Sequence, residues 1–234
     1  MALPKFNDVP KYKMVVPSTN EEITFRPFLV KEQKILLLAL ESKDNKLVLQ
    51  AVVDTLKACV DEKINFEALT TFDIEFMFTM IRAKSAGEKA DISLKCGKCE
   101  EPNTVTIILS DLKVKFYDTP KKFNISDDYI IEMKYPNYKT FSAITDEKNN
   151  VADNMLALAI SCLDKLITEE EVIMFKDEKY EEVESFLESL LPQQFGKIMG
   201  FVTTLPSLDH HVEFDCEHCK EKNELTLKGL QDFF

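Results

Sequence analysis

Four of the six cysteines fall into two C-x-x-C pairs, Cys96-Gly97-Lys98-Cys99 and Cys216-Glu217-His218-Cys219. Each pair can set two thiolates on one side of a tight turn, and two such turns supply the four sulfurs of the tetrahedral shell that Zn²⁺ prefers. A shell of four thiolates has no open position for water. A Zn²⁺ held by Cys96, Cys99, Cys216 and Cys219 would therefore be structural, not catalytic. The competing readings are two unrelated reduced pairs, a redox pair and an iron-sulfur cluster. A thioredoxin-like pair needs a βαβ context, whereas both pairs here lie between strand-like segments. His218 sits inside the second pair and His210-His211 just before it, but four thiolates suffice without them. Cys59 and Cys162 fall in helical stretches, where a thiol is expected to behave as a small buried hydrophobe.

Between Cys99 and Cys216 lie 116 residues, far more than a compact zinc ribbon contains, so the fold must bring the pairs together. A search for repeats shows how. Glu22 to Pro27 reads as a strand ended by proline. Apolar residues at helical spacing follow in Val30 to Ser42, Lys46 to Val60 and Thr71 to Lys84, and then Ala90 to Lys95 and Asn103 to Leu109 alternate around the first cysteine pair. The second half repeats this order. It has a strand at Tyr129 to Tyr135, helices near Asn137 to Thr145 and over Val151 to Ile167, and a helical region from Glu181 to Thr203 broken at Leu191-Pro192. A hairpin over His211 to Phe214 and Glu224 to Leu227 then carries the second pair. Cys96, Cys99, Asn103 and Val105 each find a counterpart 120 positions later, in Cys216, Cys219, Asn223 and Leu225. The expected fold is α+β and mostly helical, with two pseudo-repeated halves. The expected organisation is an N-terminal arm over 1–20, a first repeat unit over 21–116, a linker over 117–127 and a second unit over 128–234, the two units sharing one four-cysteine site.

The chain has 234 residues and a formal net charge of −12, from 41 acidic and 29 basic side chains. That balance repels phosphate backbones. Only Arg26 and Arg82 are arginines, which further opposes nucleic-acid recognition and makes a zinc-knuckle nucleic-acid module the second reading. No uncharged apolar run is longer than Ile35 to Leu40, far short of the ~20 residues of a membrane span. Residues 1–8 lack the apolar stretch of a secretory signal, so reduced cysteines in a cytosol are expected. No phosphate-binding glycine loop, H-E-x-x-H or G-x-S-x-G occurs, and no carboxylate pair is singled out; the chain does not read as an enzyme.

From Glu169 to Glu188 nine acids face two lysines, more than half of the net charge. This segment also supplies most of the extra length of the second half, as an insertion would. One reading is a solvated helix starting at Thr168, with Glu171 completing a capping box; the other is a docking surface for a basic partner.

The strings Met1-Ala2-Leu3-Pro4-Lys5, Val16-Pro17-Ser18-Thr19 and Phe25-Arg26-Pro27-Phe28-Leu29-Val30-Lys31-Glu32, the last followed by Ile35-Leu36-Leu37, resemble the baseplate hub assembly proteins of T-even-like contractile-tailed bacteriophages. Ile81-Arg82-Ala83-Lys84-Ser85 extends the resemblance. It implies a late viral protein without catalysis that helps to build the hub of the tail baseplate in the host cytoplasm, as scaffold, chaperone or subunit of the virion. Its implied partners are other hub or tail proteins. The resemblance brings no binding residues with it, and the four-cysteine site stands on the residues alone.

Overall fold

A computed structural model of the chain describes residues 9–42, 44–144 and 151–229. The N-terminal half contains β1 (Tyr12–Val15), β2 (Glu22–Phe25), α1 (Val30–Ser42), α2 (Asn45–Cys59), α3 (Thr71–Ala86), β3 (Lys89–Lys95), β4 (Pro102–Ile108) and β5 (Lys113–Lys115). Then come β6 (Lys122–Asn124), β7 (Ile130–Met133), α4 (Tyr138–Ile144), α5 (Val151–Cys162), β8 (Leu163–Ile167), β9 (Val172–Met174), α6 (Tyr180–Glu188), α7 (Pro192–Val202), β10 (Ser207–Asp215) and β11 (Lys222–Lys228). The fold is α+β: among the described residues, seven α-helices accompany eleven strands in four small sheets.

Two compact units divide the chain, one formed by Met1–Lys115 with Ser207–Phe234, the other by Phe116–Pro206. In the first unit β3 and β4 form one hairpin and β10 and β11 another, and β5 pairs antiparallel with the start of β10, Leu208 opposite Val114. The C-terminal hairpin thus shares a unit with the N-terminal one. Ala90, Ile92, Ile107, Leu109, Leu112, Leu208, Val212 and Leu227 form a single buried cluster built from both hairpins and the β5 segment. Burying such aliphatic side chains contributes roughly 1.5 to 3 kcal/mol each. This cluster and the β5–β10 ladder close the long connection between the cysteine pairs.

The strings 16–19, 25–32 and 81–85 that carry the family resemblance are structural, while Met1-Ala2-Leu3-Pro4-Lys5 lies outside the described residues. Arg26 lies after β2, and its Nη2 donates to Glu32 Oε1 at 3.0 Å and to Ala58 O at 2.8 Å. Glu32, only 4 % exposed, also accepts from Leu29 N and so closes the first turn of α1. Phe28 N donates to Ser85 Oγ, which in turn donates to Ile81 O, joining the 25–32 string to the 81–85 string. Ser18 of the 16–19 string donates from N and Oγ to Asp73, in the first turn of α3.

Burial opposes the charge on Glu32, but the Leu29 N–H and the Arg26 guanidinium outweigh it and hold the carboxyl below its ordinary value of 4.5. A depressed folded-state pKa contributes stability that is present above the unfolded value and lost as pH falls through the folded one. Urea unfolding should therefore show wild type losing stability below about pH 4.5 more steeply than Glu32→Gln, whose curve lacks this component; parallel curves would count against the assignment.

The second unit places β6, β7, β8 and β9 in one antiparallel sheet. Its core joins Ile131, Met133, Ala159, Cys162, Leu163, Ile198 and Phe201. Two expectations need correction here. The helix expected over Val151 to Ile167 stops at Cys162, because Leu163–Ile167 pairs with both β7 and β9. Nor does a helix start at Thr168: Thr168 Oγ accepts from the N–H groups of Glu170 and Glu171 in the tight connection between β8 and β9, and the acidic helix α6 begins at Tyr180. The segment expected as a linker, 117–127, includes β6.

Candidate metal centre

The two hairpins end in matching turns. In the first, Cys96 N donates to Glu101 O at 3.0 Å and Glu100 N to Cys96 O; in the second, Cys216 N donates to Glu221 O at 2.8 Å and Lys220 N to Cys216 O. Glu100 and Lys220, 120 positions apart, both adopt a left-handed backbone, at φ 59° and 60°. Neither is glycine, and a left-handed residue with a Cβ costs about 1 to 2 kcal/mol. Both turns bear that strain, and it folds each pair of sulfurs back to one side.

The four Sγ atoms of Cys96, Cys99, Cys216 and Cys219 all lie within 4.8 Å of one another, and they could hold a metal ion. Cys96 and Cys219 are 3.6 Å apart, as are Cys99 and Cys216. These separations exceed a disulfide's ~2.05 Å and approach the ~3.8 Å between sulfurs placed about 2.3 Å from the centre of a tetrahedron. All six cysteines are free thiols. Among the described residues, this is the only group of three or more histidine, cysteine or carboxylate side chains with such convergence, and no histidine belongs to it.

Two asparagines brace the turns against each other. Asn223 Oδ1 accepts from Gly97 N at 2.8 Å, and its Nδ2 donates to Glu221 O within its own turn. Asn103 does the same in reverse, accepting from Glu217 N at 2.8 Å and donating to Glu101 O. Both asparagines are buried. Each therefore satisfies its own turn and the opposite one, a reciprocal clasp with local two-fold character. The match at positions 103 and 223 was visible in the sequence as part of the repeat, but its role across the two turns is a product of the fold.

The thiols alternate in acidity. Cys96 is held down to about 6, chiefly by the backbone N–H groups of Cys99 and Lys98. Cys216 is lowered in the same way, first by Cys99's counterpart, the Cys219 N–H, against the effect of burial. For Cys99 the Glu101 N–H favours the thiolate, but burial and the neighbouring sulfurs outweigh it and push the thiol up to about 12. Cys219 is likewise raised, the Glu221 N–H being outweighed by burial and by Cys96 and Cys216. Crowded sulfurs resist sharing negative charge, and a cation at their centre removes that conflict.

The remaining cysteines differ in kind. Burial pushes Cys59 up to about 11 and Cys162 up to about 12, as befits inert core thiols. Lys98 and Glu221 form an ion pair across the two turns at 2.7 Å, on the solvent side. His211 pairs with Glu213 on the exposed face of β10, outside the cysteine group.

Among the described residues no helix is long and apolar enough to cross a membrane. A family model described as T4 bacteriophage base plate protein matches residues 9–234. Comparison with curated proteins and with solved structures gives no match.

Proposed function

The chain belongs to the T4 bacteriophage base plate protein family, and on that premise we propose that it assists assembly of the tail baseplate hub without catalysis, its two hairpin turns fastened by a structural Zn²⁺. The match over 9–234, which takes in every described residue, carries the assembly reading. Scaffold, chaperone and structural subunit are its three forms; each acts in the host cytoplasm during assembly, and the last remains in the tail of the particle. The partners are other baseplate hub or tail proteins. Capture of a tagged chain from infected cells should bring down baseplate proteins, and loss of the chain should leave hubs incomplete. Normal baseplates formed without it would end the proposal.

The metal reading rests on four convergent sulfurs. Cys96, Cys99, Cys216 and Cys219 would hold the ion, and what it supplies is cross-linking of two turns far apart in the chain. Separations near 3.6 Å suit one ion among the sulfurs, and tetrahedral thiolate favours zinc. Because Asn103 and Asn223 orient both turns, Asn103→Ala or Asn223→Ala should weaken zinc binding by about 10- to 100-fold, as loss of outer support typically does. Competition with a chromophoric chelator measures this; unchanged affinity in both variants would remove the asparagines from the account.

Duplication of whole halves, 21–116 and 128–234, belongs to the same proposal. It is supported by matching hydrogen bonds away from the knuckles: Arg26 N donates to Cys59 O in one unit and Lys134 N to Cys162 O in the other. Phe25 opposes Val60 as Met133 opposes Leu163. On this reading β9 and α6 form the inserted, acidic part of the second copy and offer a docking surface for a basic partner. A complex formed there should weaken with rising salt, and neutralising Glu181, Glu182 and Glu184 should abolish that dependence.

A further inference from the structure

α1 turns few of its side chains inward. Glu32 and Ala39 are buried and Leu36 is half-buried, one stripe at the spacing of a single helix face, and α1 packs on α2. Val30, Ile35, Leu37, Leu38 and Leu40 stand between 52 and 79 % exposed. A helix apolar on most of its circumference belongs inside an assembly, not in water. Val30, Leu37 and Leu40 share one face and present roughly 300 Å² of apolar surface, the size at which a patch marks an interaction site; Ile35 and Leu38 stand on other sides of the helix.

The polar residues on this face indicate what covers it. Val30, Leu37 and Leu40, with Gln33, occupy the a and d spacing of a two-helix seam. Lys34 and Glu41 lie beside that seam, seven residues apart and both exposed. When two identical helices pack antiparallel about a two-fold axis, these flanking positions face each other and each Lys34 can meet the other copy's Glu41; in a parallel pair they would face Leu29 and Leu36 on the opposite flank instead. The face is therefore complementary to itself, as an isologous interface requires. Two copies together bury about 600 to 700 Å² of apolar surface through this seam, the size of a weak, transient interface.

We propose that a second copy of this chain covers α1, the two helices packing antiparallel through Leu37 and Leu40 with reciprocal Lys34–Glu41 pairs. The proposal needs neither the metal nor the hub reading.

Sedimentation of the purified full chain should show twice the 26.9 kDa chain mass at tens of micromolar. Leu37→Glu should raise the dimer dissociation constant at least ~10-fold while leaving the circular dichroism spectrum, and the Tm measured at dilutions where wild type is monomeric, unchanged, since the side chain is exposed. Lys34→Glu and Glu41→Lys should each weaken the dimer, and the double variant should regain wild-type affinity to within about 3-fold, because the pairing is restored with reversed sign. A wild-type monomer, whether α1 is bare or seated on a different protein, would overturn the proposal. So would a dimer indifferent to Leu37→Glu, or a double charge swap no tighter than the single variants.

Discussion

Replacing Cys216 with Ser should empty the whole cysteine centre of metal and destabilise the first unit by about 3 to 5 kcal/mol. Three sulfurs cannot complete a tetrahedral shell, and removal of the ion leaves the turns held by the Asn103 and Asn223 clasp and the exposed Lys98–Glu221 pair. The loss stays below that of a metal-dependent finger because the core around Leu109, Leu112 and Leu208 and the β5–β10 ladder already join the two hairpins. Urea unfolding in the presence and absence of a strong chelator distinguishes these contributions. Chelation should reproduce the loss in wild type and add nothing in Cys216→Ser; a variant as stable as the parent, with or without chelator, would contradict the role given to the centre.

Asp73→Ala should cost about 4 kcal/mol. The Asp73 side chain is fully buried, and its Oδ1 accepts from Ser18 N at 2.9 Å. Oδ2 accepts from Ser18 Oγ and Thr70 Oγ1 at 2.6 Å and from Thr70 N at 3.0 Å. One carboxylate thereby caps α3 and ties the segment after β1 to it. Truncation strands two backbone N–H groups and two hydroxyls. The isosteric Asp73→Asn is the sharper probe: hydroxyls can turn to donate elsewhere, but Ser18 N and Thr70 N address different oxygens, so the amide must set its NH₂ against one of them. It should cost roughly 2 kcal/mol with zinc content unchanged. A neutral effect would mean that water replaces the lost acceptor.

In the first unit α2 was legible because its apolar residues recur every three or four positions with polar residues between, and α1 from a continuous apolar run, Ile35 to Leu40, set between polar ends. The second unit was less so, for a physical reason. Ala159, Cys162, Leu163 and Leu166 keep helical spacing through the end of α5, yet Leu163–Ile167 leaves the helix because strand partners on both sides satisfy its backbone. Local periodicity cannot register that competition. At Thr168 the hydroxyl accepts from N–H groups two and three residues on, as an N-cap would, but it closes a strand connection. Strands of three residues such as β5 and β6 carry too little pattern to be seen at all.

The metal-centre candidates were legible from residue type and spacing, and their convergence is the fold's contribution. Chain order alone would pack β10 and β11 with the residues just before them. Instead β10 pairs with β5, and only the constant offset of 120 between the cysteine pairs hinted that the two hairpins are counterparts in one arrangement. Asp73 and the Arg26–Glu32 pair were not singled out for their chemistry, since nothing in a lone acid or a family string says which donors will surround it. The structure brings Ser18 to Asp73 from 55 residues away and gives Arg26 the Ala58 carbonyl as acceptor from 32 residues away.

Native mass spectrometry of the full chain, purified without added metal or chelator, shows whether one ion joins the two hairpins. Wild type should carry the added mass of one zinc per chain, lost in both Cys96→Ser and Cys216→Ser, since each hairpin supplies half of one shell. A metal-free wild-type chain, or a zinc retained when either hairpin has lost its first cysteine, would contradict a shell shared between the hairpins.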